Sequence, residues 1–180
     1  MVYLFLADGF EEIEALCVLD ILRRAGVDTL TVGVTGKIAN GSHKIPVTCD
    51  ITENELDTSA DFDMIILPGG LPGAHNLNAS GVVDTMINRA VQEDKYICAI
   101  CAAPYILGIR GVLKGKRATC YPGFEDKLEG ATIVDSGVVT DGKIITGRAM
   151  GSATDFALEI AQALLGSEAR EKLRASIIYC

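Results

Sequence analysis

The alternation of short apolar runs with amphipathic stretches limits the folds open to this chain. Val2 to Ala7 is an apolar run of strand length, closed by Asp8-Gly9. Glu11 to Ala25 has helical periodicity and stops at Gly26. Asp28 to Val34 is a second strand, followed by a turn-rich stretch and a short extended piece around Pro46 to Ile51. Phe62 to Leu67 ends at Pro68-Gly69-Gly70, and Ser80 to Glu93 is amphipathic, with Val83, Ile87 and Val91 on one side. Tyr96 to Ile100 reads as strand and Ala102 to Ile109 as helix. Short strands follow at Arg117 to Cys120 and Thr132 to Val134. Val138-Thr140 and Ile144-Thr146 then flank Asp141-Gly142, which predicts a hairpin closed by a type I′ turn. A last helix is predicted from Ser152 to Leu165, with Ser152 or Thr154 as its N-cap and Gly166 at its end.

Strands of continuous apolar character between amphipathic helices require a mostly parallel sheet covered on both faces. The fold class is therefore α/β. Residues 1–180 form one domain, without linker, repeat or low-complexity tract. In such a sheet ligands bind at the carboxyl ends of the strands. That rule selects Asp8-Gly9, Pro68 to Gly73 and Ala99 to Pro104.

Composition removes several function classes. The net charge of -8 argues against nucleic acid as a partner, because phosphate neutralisation needs clustered Lys and Arg. No segment approaches the roughly 18 apolar residues of a membrane span. Val2 to Ala7 lacks a basic n-region and a cleavage site, so a cytoplasmic location is expected. Cys17, Cys49, Cys98, Cys101, Cys120 and Cys180 are scattered through a chain with 49% apolar residues, which does not need staples; reduced thiols are expected.

One of these thiols sits where a β-run meets a helix, in Ala99-Ile100-Cys101-Ala102-Ala103-Pro104. A nucleophile elbow needs small residues two before and two after the nucleophile, a demand that Ala99 and Ala103 meet. Pro104 suits a first helical turn. A thiol there faces unpaired N–H groups and the positive end of the helix dipole, which predicts a lowered thiol pKa and a place to hold an oxyanion. The alternative is a buried structural cysteine. Cys98 and Cys101 form a C-x-x-C, but Cys98 falls inside the strand, unlike a thioredoxin-type pair. No metal site is expected: no second close cysteine pair exists, and His43 and His75 lie far apart.

In the first helix Phe10, Ile13, Glu14, Cys17 and Ile21 share a face, so Glu14 is the carboxylate expected to point inward. Glu11 and Glu12 read as solvated first-turn residues. Burial would raise the pKa of Glu14 and suit it to proton transfer. Pro68-Gly69-Gly70-Leu71-Pro72-Gly73 lacks both G-x-G-x-x-G and a Walker lysine, and reads as a tight turn offering a backbone N–H. His75 just beyond reads as a surface residue.

Asp8-Gly9-Phe10-Glu11-Glu12-Ile13-Glu14, Leu67-Pro68-Gly69-Gly70 and the Cys101 elbow together resemble the ThiJ/PfpI superfamily. Within it, they are most similar to the branch of the Parkinson-disease protein deglycase and its bacterial relatives. The similarity extends through Thr146-Gly147-Arg148 and Asp155-Phe156-Ala157-Leu158 to Leu165-Gly166. The resemblance implies a flavodoxin-like three-layer sandwich and a homodimer, with Cys49 matching an interface cysteine. It implies Cys101 as nucleophile, Glu14 as its protonated carboxyl partner, and the backbone of Gly70 and Ala102 as oxyanion donors, with Gly69 and Tyr121 as site neighbours. Activities of the branch are cofactor-free glyoxalase and deglycase chemistry on small aldehydes or glycated substrates, and redox-sensing chaperone behaviour. A separate branch holds peptidases.

Two departures matter. The peptidases carry a histidine directly after the cysteine, where this chain has Ala102. The deglycase branch places a histidine before a proline near the site, where this chain has Tyr121-Pro122. A phenol with a pKa near 10 is a poor base at neutral pH. Two functions are thus expected as alternatives: an enzyme acting on reactive carbonyls such as methylglyoxal, and a redox sensor whose Cys101 is oxidised to a sulfinate.

Overall fold

A computed structural model describes residues 1–179. In chain order its elements begin with β1 (Val2–Leu6), α1 (Glu12–Arg24), β2 (Thr29–Gly33), β3 (Ile38–Asn40), β4 (Pro46–Thr48), β5 (Ile51–Thr52) and β6 (Met64–Leu67). There follow α2 (Gly73–Ala79), α3 (Gly81–Gln92), β7 (Tyr96–Ile100), α4 (Pro104–Gly108), β8 (Arg117–Ala118) and β9 (Thr132–Ile133). The last elements are β10 (Val138–Asp141), β11 (Ile144–Gly147), α5 (Ala153–Leu165) and α6 (Ser167–Ser176).

Seven strands form one sheet in the order β10-β11-β7-β6-β1-β2-β5. Every pairing in it is parallel except the β10–β11 hairpin at one edge. Two-residue alternation along β1 explains the unbroken apolar run. Tyr3 and Phe5 enter a core with Leu77 of α2, Met86 of α3 and Ile106 of α4. Val2, Leu4 and Leu6 enter another with Val18 and Leu22 of α1 and Phe156 and Ile160 of α5. The result is a three-layer α/β sandwich. Burying each such side chain stabilises the fold by ~1.5–3 kcal/mol.

The chain starts in the middle of the sheet. From β1 it runs outward to β2 and β5, then returns to place β6 on the other side of β1. The strand order therefore reverses between β1 and β6, and a crevice opens there at their carboxyl ends.

Several elements differ from the sequence expectation. The helix predicted from Ala102 starts at Pro104, because Cys101 to Ala103 are used in a turn. Val91 and Ile13 lie on the apolar stripes of α3 and α1 yet are 53% and 51% exposed. Among the described residues nothing covers those ends of the stripes. The hairpin pairs Asp141 with Ile144, so its loop is Gly142-Lys143 rather than Asp141-Gly142. Only Gly142 has positive φ (61°), the pattern of a type II′ turn and not of I′. The β8 and β9 strands pair with each other outside the main sheet. Helix α6 was not expected, since Leu173 is the one residue of its ten that is buried. It docks on α5, where Arg170 donates to Gln162 Oε1 at 3.1 Å.

Candidate active site

The carboxyl ends of β1, β6 and β7 bring three chain segments together. At the end of β7, Cys101 adopts φ 64°, a left-handed conformation that costs a non-glycine residue ~1–3 kcal/mol. Its main chain is clamped on both sides. The Cys101 N–H donates to the Gly147 carbonyl at 2.9 Å, and the Tyr121 N–H donates to the Cys101 carbonyl at 2.8 Å. Ala99 and Ala103, the small residues two before and two after Cys101, are fully buried where strand and helix approach each other.

Glu14 comes from the first turn of α1. Glu11 caps that helix, its Oε2 accepting from the Glu14 N–H at 2.8 Å. The Glu14 side chain is 1% exposed. Its Oε2 accepts from the Gly69 N–H at 2.9 Å, while its Oε1 has no hydrogen-bond partner.

Gly69 is what permits the approach. A Cβ there would lie 2.6 Å from Cys101 Cβ, 2.7 Å from Glu14 Oε2 and 2.9 Å from the Ile100 carbonyl oxygen. Gly70, next to it, holds φ 86°. Its N–H and that of Ala102 both favour the thiolate of Cys101. These are the two backbone N–H groups that the family resemblance implies as oxyanion donors.

The electrostatics correct one expectation. Burial pushes Glu14 up to about 7; the Cys101 thiol pulls it back, Glu11 adds to the rise, and the Gly69 N–H opposes it. The Cys101 thiol is not lowered. Burial first, then the Glu14 carboxylate, push it up to about 12 against the two N–H donors. The dipole argument from sequence left out both desolvation and the facing carboxyl. The pair thus sheds one proton near 7 and keeps the other far above it.

This site lies in a chain whose residues 1–163 match the DJ-1/PfpI family. The chain belongs to that family. Protein DJ-1 homolog B of Arabidopsis thaliana is 38% identical over 90% of this chain, though the match spans only 37% of that longer protein. A glutathione-independent glyoxalase of Caenorhabditis elegans is 33% identical, with 91% of this chain and 87% of the relative covered. A deglycase of Pyrococcus abyssi is 33% identical, with 81% and 87% covered. Among solved structures, a DJ-1 superfamily protein of Salmonella typhimurium superposes with a TM-score of 0.94 at 37% identity, covering 99% of this chain and 98% of the other. Oxidized Toxoplasma gondii DJ-1 gives 0.95 at 32% identity, covering 99% and 98%.

The other residues singled out in the sequence fall around this DJ-1/PfpI site or away from it. Tyr121 touches it through its main chain, and its side chain is 48% exposed. His75 is exposed and meets Tyr105 edge-on at 5.8 Å. Cys98 is fully buried, which pushes its thiol well above the ordinary value. No disulfide joins the described cysteines, and Cys180 lies outside the described residues. Cys49 is buried within the single chain, 1% exposed, against Gly33.

Glu12 is not a solvated first-turn residue. It is buried, and its carboxylate accepts from the His43 N–H at 2.7 Å and the Ser42 hydroxyl at 3.1 Å, with the His43 ring at 3.0 Å. Burial opposes its charge, but the His43 ring, main-chain N–H groups and Ser42 outweigh it and hold Glu12 at about 2. Glu12 thereby ties the β3–β4 hairpin to the start of α1, beside Gly9. Glu11, Glu12 and His43 bring ligand-type atoms within 4.8 Å of one another. Glu11 Oε2 and both Glu12 oxygens already serve the helix cap and the hairpin. No local sequence signal marks Glu12, because its partners are some 30 residues away.

Proposed function

We propose that this chain is a cofactor-independent cysteine enzyme acting on small reactive carbonyls, in the manner of a glyoxalase or deglycase. The observation that carries this reading is the buried Glu14 carboxyl set against the Cys101 thiol, with Gly69 admitting the approach and Oε1 left without a backbone donor. Relatives named glyoxalase and deglycase support the substrate class. The reactive form is the minor tautomer of the one-proton pair, in which that proton has passed from Cys101 to Glu14 and the sulfur is the thiolate. With methylglyoxal the sulfur adds to the aldehyde carbon, breaking the carbonyl π bond, and the Gly70 and Ala102 N–H groups hold the new oxyanion. Glu14 gives that oxygen its proton, forming a hemithioacetal. As a carboxylate it then takes the proton from the former aldehyde carbon, leaving an enediol as the ketone oxygen gains a proton. It returns the proton to the neighbouring carbon as the first hydroxyl gives up its own. The product is a lactoyl thioester, which water hydrolyses to lactate and free thiol. No metal or cofactor enters this sequence.

The test is lactate formation from methylglyoxal by the purified protein, beside Cys101→Ser and Glu14→Gln. Loss of turnover in both variants supports the reading; a wild type without turnover overturns it. A second reading rests on the same unpartnered Oε1, which as a protonated carboxyl could donate to a sulfinate on Cys101. Two equivalents of peroxide would supply the two oxygens, each releasing water or its equivalent. Quantitative gain of two oxygen atoms at Cys101, in a protein without turnover, would favour that sensor reading and make Tyr121 the first residue to convert to histidine.

The described residues include no helix long and apolar enough to cross a membrane. Ile13, Ile45 and Met150, each near half exposed, line one depression beside Glu11 and His43. We take this as the face that a second copy covers in a homodimer.

A further inference from the structure

The largest cavity described lies far from Cys101, at the opposite, amino-terminal ends of β7 and β11. It encloses about 600 Å³, within the usual range for small-molecule sites. Its floor is aliphatic: Ala90, Ile97 and Ile144 are buried there, Val112 is half-buried, and Val91 is the exposed end of the α3 stripe. Lys116 and Lys143 stand at one side.

These two lysines differ from the exposed Lys44, Lys114 and Lys127 in their partial burial. Both are half-buried, and neither forms an ion pair among the described residues. Lys143 lies 4.0 Å above the Tyr96 ring, and Lys116 reaches the hairpin turn, its Nζ 3.9 Å from where a Gly142 Cβ would be. Both lysines thus line the cavity beside the Gly142-Lys143 loop. Nearby carboxylates are engaged elsewhere: Asp61 by Lys95, Asp63 by the N-terminus, Glu93 by Arg89 and Asp141 by Arg117. Asp94 is exposed, on the α3 side of the cavity. An aliphatic floor beside two cationic side chains without counter-ions suits an anion with an apolar tail.

We propose that this cavity binds a small amphipathic anion, its carboxylate between Lys116 and Lys143 and its aliphatic chain along Val91, Val112 and Ile144. The ligand class is a free medium-chain carboxylate. Neither the Cys101 site nor its proposed reaction is involved.

Octanoate, below its micellar range, is the probe, with n-octanol and acetate beside it, followed by amide shifts of Gly111, Gly142 and Ile144 in two-dimensional NMR. Octanoate should give saturating shifts at these amides with a Kd on the order of 1 mM or tighter, and the two controls at least tenfold weaker binding. The double variant Lys116→Met/Lys143→Met, and separately Val91→Asp at its exposed position, should each weaken octanoate at least tenfold while retaining the wild-type spectrum elsewhere. Absence of saturation, octanol binding as tightly as octanoate, or unchanged affinity in the lysine variant would each overturn the assignment.

Discussion

Replacing Gly69 with alanine adds one carbon at the point where Cys101 and Glu14 meet. That carbon falls about 0.8 Å short of the 3.4 Å at which ordinary contact with Cys101 Cβ begins, and is too close to Glu14 Oε2 and the Ile100 oxygen as well. Two of the three neighbours cannot yield. The Ile100 oxygen is backbone, and Cys101 is clamped by Gly147 and Tyr121. The Gly69 main chain must therefore shift away from Cys101 and Ile100, displacing Glu14 and its bond to the Gly69 N–H. A displacement near 1 Å in a catalytic pair costs on the order of 10²-fold in kcat/KM. Overpacking of this kind costs ~1–3 kcal/mol of stability, which for a chain of this size lowers Tm by roughly 2–12 °C. Lactate formation, thermal melting and the pH dependence of Cys101 alkylation by iodoacetamide would measure the three effects. Gly81→Ala is the control, since a Cβ there meets nothing within 4 Å at the first turn of α3. It should leave activity unchanged and raise stability by about 0.5–1 kcal/mol. A Gly69→Ala protein within threefold of wild-type activity, with an unshifted alkylation profile, would refute the steric argument.

Three further outcomes are expected. Activity needs the pair to have lost one proton, so kcat/KM and the alkylation rate should rise with pH through about 7 and then level. In Glu14→Gln the alkylation midpoint should move above the ordinary thiol value, because burial remains; a wild-type midpoint near 8.5 would contradict this. The Glu14 carboxyl is raised from 4.5 to about 7, so its protonated form stabilises the fold fully below 4.5, and that contribution is lost as pH rises through 7. Glu14→Gln should therefore be more stable than wild type by about 3 kcal/mol at pH 8 and equal to it at pH 4, read by urea denaturation. Glu12 works in the other direction: its charge contributes stability above 4.5 that is lost as pH falls through about 2. Glu12→Ala leaves the His43 N–H and Ser42 hydroxyl without their acceptor, and should cost ~1–3 kcal/mol at pH 7 in the same denaturation measurement.

Cys101 and Glu14 were legible because each is marked by local pattern: small residues spaced around an elbow, and a carboxylate on the apolar stripe of a helix. Gly70 and Ala102 followed from the family resemblance. Gly69 was legible as a turn but not as the residue whose missing side chain admits Glu14 to the thiol. Periodicity placed Val91 and Ile13 on apolar stripes correctly, yet could not say that no element covers those ends. The hairpin was visible, but its turn type was not, because Asp141-Gly142 and Gly142-Lys143 differ by one residue and only the ladder register chooses between them.

The sequence by itself determined the parallel α/β sheet, since unbroken apolar strands between amphipathic helices have no other way to cover both faces. It also singled out Cys101 and Glu14, which the fold brings together at the carboxyl ends of the strands. Tertiary structure decided the proton balance, because burial and the facing carboxyl act through space and outweigh the local N–H donors at Cys101. It likewise decided the role of Glu12 and the two unpaired lysines beside the hairpin turn. Those depend on which distant residues supply, or fail to supply, a counter-charge.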